Sequence, residues 1–251
     1  MNVRKRRRRP GRLGRLGRLV ALPLSLAVVA VAVALAVTPG VGDAEQRAAD
    51  FASAHHISGP SAAVPPRFAA ALVATENSRF YSDVGVDPVS VARVAAARVS
   101  GRGDVGGATL EQQLVKQLYA GGSSDGVGRK AEQAVLAVKL YSRFDKDQIL
   151  RMYASVVYFG HGYWGLDAAS EGYFGRAPSQ LSWGQAALLA GLLQAPSAYD
   201  PIRYPERACA RQQHALLRLV ATEQLSSRAA ADAACAGHPL NGAGQAPRKQ
   251  I

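Results

Sequence analysis

At 251 residues, 48% of them hydrophobic and 19% charged, the chain is long enough for one domain of ordinary size with a real core, plus a tail or anchor. Its formal charge of +12 is not that of a nucleic-acid-binding surface: Arg4, Lys5, Arg6, Arg7, Arg8, Arg9, Arg12, Arg15 and Arg18 hold nine of the thirty basic residues, and the rest carries only +3. No nucleic-acid partner is expected, and the two cysteines and five scattered histidines offer no metal-ligand spacing.

In chain order, residues 1–18 form a basic tail. Leu19 to Val37 follow as nineteen uncharged residues rich in Ala, Val and Leu, a length that crosses a hydrocarbon core of about 30 Å. The basic flank puts the N-terminus in the cytoplasm and everything beyond about Thr38 outside, a single-pass plasma-membrane topology. A cleaved signal peptide would share the basic leader but has an apolar core of only about 7 to 15 residues, so an uncleaved anchor is the favoured reading. Either reading exports the domain.

Residues 38–64 lack sustained periodicity and read as a linker with a short helix near Ala44 to Ala54. The folded domain is expected over 65–205, in helical texture. Phe68 to Thr75 is the first helix; Asp87-Pro88 is an N-cap with proline at the first helical position, leading into Val89 to Ser100. Thr109 and Gln112 hold capping-box positions for a helix to Tyr119, which gives Gln112 a structural explanation. Arg129 to Phe144 carries Ala134, Val135, Val138 and Tyr141 on one apolar stripe. Asp145 with Gln148 caps a helix through Ile149 to Val157. Asp167 to Tyr173 is a short helix, and Ser182 with Gln185 caps an apolar one through Leu193. Residues 206–236 predict a helical hairpin, Arg207 to Gln224 against Ser226 to Ala236, and 237–251 a disordered tail. Export places Cys209 and Cys235 where pairing is permitted, and the hairpin geometry would let a bridge staple it. With no convincing strand and no repeat, the fold class is mainly α.

The candidate chemistry starts at Glu76, a carboxylate with Arg79 three residues on. Alone, such a pair is more often a solvated helix-surface ion pair worth a few tenths of a kcal/mol. The surrounding segments change that weighting. Glu76, Asn77, Phe80, Asp83 and Gly85 follow the pattern Glu-Asp-x-x-Phe-x-x-His-x-Gly. Gly106, Gly107, Ala108, Thr109, Glu111, Gln112, Gln113 and Lys116 follow Gly-Gly-Ser-Thr-x-Thr-Gln-Gln-x-x-Lys. Arg129, Lys130 and Gln133 follow Arg-Lys-x-x-Glu. With Tyr158-Phe159-Gly160, Tyr163-Trp164-Gly165, Tyr173-Phe174-Gly175 and Ala186 to Ser197, the stretch from Phe68 to Pro201 resembles the peptidoglycan glycosyltransferase domain, glycosyltransferase family 51, of penicillin-binding proteins and monofunctional transglycosylases.

That resemblance implies a lysozyme-like helical domain holding two lipid-linked glycans. The 4-hydroxyl of lipid II attacks the anomeric carbon of the growing strand and displaces undecaprenyl pyrophosphate with inversion. Glu76 is then the general base and Gln133 stands at the family's second catalytic glutamate. Arg79, Lys116, Arg129 and Lys130 are the candidate cationic clamp on pyrophosphate, Gln112 and Gln113 neutral donors, and Phe80 a further substrate-side candidate. The resemblance also implies tolerance for Mg2+ or Mn2+, a membrane-proximal position and other cell-wall synthesis proteins as partners. Departures from the pattern are Asn77 for aspartate, Asp83 for histidine, Ala108 for serine, Glu111 for threonine, Gln133 for glutamate, Ser155 for asparagine and Gln185 for glutamate. Gln133 motivates an alternative, a catalytically impaired relative that binds lipid II or glycan as a cell-wall scaffold or regulator; a lysozyme-like hydrolase is a third, disfavoured by the basic clamp. After Pro201 there is no Ser-x-x-Lys signature, so glycan is expected to be polymerised but not crosslinked.

Overall fold

A computed structural model describes residues 25, 29, 32–57, 63–101, 107–120 and 126–234, with backbone alone at 95, 98, 99 and 127. The chain divides into two units, 1–39 and 40–251. In the first, 32–37 is helical and Val33, Leu35 and Val37 are exposed. The basic tail at 1–18 and most of the expected span at 19–37 lie outside the described residues, as does 237–251. No helix among the described residues is long and apolar enough to cross a membrane.

The second unit is helical: α1 Ala44–Ala54, α2 Pro66–Glu76, α3 Pro88–Val99, α4 Leu110–Tyr119, α5 Val127–Arg143, α6 Lys146–Val156, α7 Leu166–Phe174, α8 Trp183–Leu192, α9 Pro205–Ala221 and α10 Ser227–Asp232, with a 3-10 turn at Pro178–Gln180. Among the described residues the β content is one isolated bridge, Tyr158 to Trp164. Local chemistry sets the helix starts. Thr109, Asp145 and Ser182 each accept a hydrogen bond from the backbone N–H of the glutamine three residues on, while that glutamine's side chain accepts from the cap's own N–H. Proline at the first position opens α2 and α9, where its missing N–H costs no helical hydrogen bond.

Packing centres on α8, buried from Gly184 to Leu192 and apolar on every side. It lies between α2 and α9, which also touch each other. Phe68, Ala71 and Leu72 of α2 and Ala208, Ala215, Leu216 and Leu219 of α9 face this centre. Gln212 of α9, itself buried, donates to the Gly184 carbonyl at 2.8 Å. Gly191 is where the two backbones meet, since a β-carbon there would stand 2.9 Å from the Arg211 carbonyl oxygen. A second group joins α4 to α5 and α6, with α1 laid against α6 and α4. The segment expected as a linker thus contributes to the core, through Val41, Ala44, Ala48 and Ala52. Helix α10 packs on α9. Cys209 of α9 is disulfide-bonded, and its expected partner Cys235 lies outside the described residues.

Candidate active site

Between these groups opens a cleft of about 1060 Å³, lined by the end of α2, the start of α3, α4, the end of α6 and one face of α9. Helix α2 ends at Glu76, so the helix delivers this carboxylate to the cleft floor. Burial pushes the Glu76 carboxyl above its ordinary range, and a hydrogen bond from Gln113 and the charge of Arg211 partly oppose that rise. Gln113 Nε2 donates to Glu76 Oε2 at 3.2 Å, and Tyr153 of α6 donates its hydroxyl to Gln113 Oε1 at 2.7 Å. The carboxylate, which only accepts, draws the NH2 end of the amide, and the tyrosine hydroxyl holds the amide's other end.

Arg79 also lines the cleft but is engaged by Asp87 at the mouth of α3. Its Nε lies 3.1 Å from each Asp87 oxygen, and its terminal nitrogen makes a still closer contact. The guanidinium, with Ser90, holds the Asp87 carboxyl well below the usual carboxylate range. Arg93 reaches Ser90 Oγ at 3.1 Å and joins this rim. Lys116 lines the same wall from α4.

Other sequence-predicted residues fall elsewhere. Gln112 spends its side chain on the Thr109 cap, at 3.0 Å. Phe80 is fully buried beneath Lys146, whose ammonium lies 4.5 Å from the ring centre. Gln133 is buried in α5, Arg129 and Lys130 are exposed, and none of the three is among the cleft-lining residues.

Conversely, α9 brings Arg211, His214 and Arg218 into the cleft, one face at i, i+3 and i+7. Arg211 donates to the Gly191 carbonyl at 3.2 Å, and Arg218 to the Ala74 carbonyl at 3.1 Å, two residues before Glu76. Burial and these two cations depress the His214 imidazole, favouring its neutral form. Sequence reasoning read this segment only as one arm of a helical hairpin. The available signal was this run of basic residues at helical spacing, on a helix whose other face is apolar.

Three of the departures from the motif pattern meet in one place. Asn77 donates to Asp83 Oδ2 at 2.8 Å; Lys146 bridges Asp83 Oδ1 at 2.9 Å and Glu111 Oε1 at 2.7 Å. Gly85 N–H adds a bond to Asp83 at 3.1 Å, in a backbone at φ +86° where a β-carbon would stand 2.4 Å from the Ala137 carbonyl oxygen. As to Mg2+ or Mn2+, no group of three His, Cys, Asp or Glu side chains placed to hold a metal occurs among the described residues, and Asp87 is committed to Arg79 and Ser90. Among the described residues there is thus no all-protein cage for a divalent ion, and no step is derived through one.

Comparison with known proteins agrees with this geometry. The family described as Transglycosylase matches residues 45–220, about seven-tenths of the chain. Penicillin-binding protein 1A of Aquifex aeolicus is 39% identical over 158 residues, 62% of this chain and 22% of that protein. The Escherichia coli protein of the same name is 37% identical over 158 residues, 62% of this chain and 18% of its own length. That of Mycobacterium tuberculosis is 37% identical over 166 residues, 65% and 20% respectively. The chain thus spans about a fifth of the length of these relatives. A crystal structure of penicillin-binding protein 1A from Haemophilus influenzae overlaps 38% of this chain and 14% of its own at 27% identity and a TM-score of 0.37, too slight an overlap to bear on the fold. With that match running over residues 45–220, through every helix that lines the cleft, the chain belongs to the transglycosylase family.

Proposed function

We propose that this chain is a peptidoglycan glycosyltransferase that polymerises lipid II into glycan strands, with inversion at the anomeric carbon and release of undecaprenyl pyrophosphate. The observation that carries the reading is Glu76: a half-buried carboxyl at the floor of a cleft with cations on two walls, raised by desolvation above its ordinary range. A base of raised pKa is matched to a sugar hydroxyl, whose proton leaves only as the new bond forms. Gln113 occupies Oε2, which leaves Oε1 to take that proton from the attacking 4-hydroxyl. The oxygen bonds to the anomeric carbon as the bond to pyrophosphate breaks, and the electron pair leaves with the phosphate. Lys116 and Arg211 stand in the cleft to balance the charge that develops on departure. A single displacement of this kind inverts the anomeric centre.

The basic tail and the apolar run at 19–37 support a plasma-membrane anchor with the domain outside, where lipid-linked substrate, the growing strand and other cell-wall synthesis proteins would be met. The test is polymerisation of purified lipid II by the full chain in liposomes beside Glu76→Gln. Strands from the wild type and none from the variant support the enzyme. Binding without turnover by both would instead favour the scaffold or regulator alternative, and release of reducing ends from preformed glycan a hydrolase.

A further inference from the structure

The base reading leaves one group of buried charges unused. Lys146, Asp83 and Glu111 have side chains 14%, 2% and 0% exposed, so an ammonium and two acids have been withdrawn from water together. Burial of this kind is costly unless geometry is good, and breaking it strands a charge. The arrangement is asymmetric: Glu111 Oε2 is buried and finds no hydrogen-bond partner, while Oε1 is held by Lys146. The ammonium also stands 4.5 Å from the Phe80 ring centre and 4.9 Å from that of Tyr141, and so is enclosed by aromatic faces.

What these contacts hold is the frame of Glu76. Through Asp83, Lys146 grips Asn77, the residue directly after the carboxylate and the C-cap of its helix. Through Glu111 it fixes the rotation of α4, and two positions further along α4 stands Gln113, the donor to Glu76. Lys146 opens α6, and seven residues later the same helix presents Tyr153, which holds the Gln113 amide by its oxygen. Residues i and i+7 share a helix face, so one rigid element grips the carboxylate's surroundings at two points.

We propose that α6 is a brace for the cleft carboxylate, with Lys146 and Tyr153 as positioning residues that hold Glu76 and its donor Gln113 in register. Neither touches the reacting atoms; both act through Gln113 and Asn77. Loosening either anchor lets the Gln113 amide swing away from the acid, or lets α4 and the Asn77 turn drift. A misplacement of about 1 Å at a reacting group costs on the order of 10²-fold in rate.

This inference rests on Glu76 as the base, and the test separates the two. Full-length protein in detergent, labelled with ¹³C at glutamate carboxyls and with Glu76 assigned by Glu76→Gln, is titrated by NMR as wild type, Tyr153→Phe, Lys146→Met and Lys146→Arg. Loss of the Gln113 bond removes an influence that lowers the Glu76 titration. The expected result is therefore an upward shift of its midpoint in Tyr153→Phe and Lys146→Met, with Lys146→Arg nearer wild type. In lipid II polymerisation the same variants should lose kcat by about 10- to 100-fold with KM changed less than about twofold. An unshifted Glu76 titration in folded Tyr153→Phe and Lys146→Met overturns the brace, whatever the enzyme does. A shifted titration in a chain whose wild type polymerises nothing keeps the brace and overturns the base reading. Should Lys146→Met fail to fold, Tyr153→Phe decides alone.

Discussion

At the scale of single residues, the cleft acid is held in a state that opposes stability. The folded-state pKa of Glu76 lies above the unfolded value of about 4.3, so between the two the folded chain binds more protons. Stability from this group is full below the unfolded pKa and is lost as pH rises through the folded one. Glu76→Gln should therefore raise the unfolding midpoint at pH 7 while abolishing polymerisation, a pairing read by calorimetry and strand assay on one preparation. With Glu76 as the proposed base, the acid limb of kcat/KM should lie above the titration of an ordinary glutamate, since a base works only when deprotonated. Asp87 behaves oppositely: its pKa is depressed by Arg79 and Ser90, so its contribution is present above about pH 3.9 and lost as pH falls through the folded value. Asp87→Asn should lower the unfolding midpoint at neutral pH and flatten acid unfolding. Glu76 and Gln113 were legible in the sequence because their motifs are local. The contacts of Lys146 and Arg211 were not, because their partners, Asp83 and Glu111 for the one and the Gly191 carbonyl for the other, are brought to them by the fold and not by the local sequence.

Among the helices, the capping signals were read correctly because each is closed within four residues. Thr109, Asp145 and Ser182 with their glutamines act where the chain turns into helix, and tertiary packing has little to override. They are not equal. Thr109 also donates its hydroxyl to the Gly85 carbonyl at 2.7 Å, tying the cap of α4 to the loop after Glu76. Thr109→Ala should therefore cost about 2 kcal/mol, against about 1 kcal/mol for Asp145→Ala at an exposed cap, measured by urea unfolding. The element that sequence reading undervalued is α1. Its alanines at 44, 48 and 52 sit on one face but are too small to mark a core stripe by hydrophobicity. They permit close approach to α6 and α4 instead. Gly191 works similarly on α8, and Gly191→Ala should cost about 1 to 3 kcal/mol, because the β-carbon meets backbone of α9 rather than a yielding side chain. Arg211 shares that contact, so this variant should also lower glycan polymerisation.

Taken whole, the molecule draws its cleft from both ends of the domain. Arg218 bonds the carbonyl of Ala74, and Arg67 donates to that of Leu181 at 3.0 Å, so α2 is locked by segments more than a hundred residues later. The helical class was plain from periodicity, but this closure was not, since nothing in α2 or α9 alone announces the other. For the full chain, replacing the basic residues of 1–18 should weaken binding to anionic liposomes in a salt-dependent way, which co-sedimentation would measure. Closure by the last large helix also governs how the domain can come into being. Helix α8 is apolar all round and α2 shows it one face, so neither has a finished surface until α9 arrives. A chain made from its N-terminus must therefore carry these apolar faces uncovered until about residue 221 has emerged, exposed to aggregation and to chaperone capture throughout. The site is the last thing such a chain completes, and a fragment ending before Pro205 should have neither cleft nor solubility.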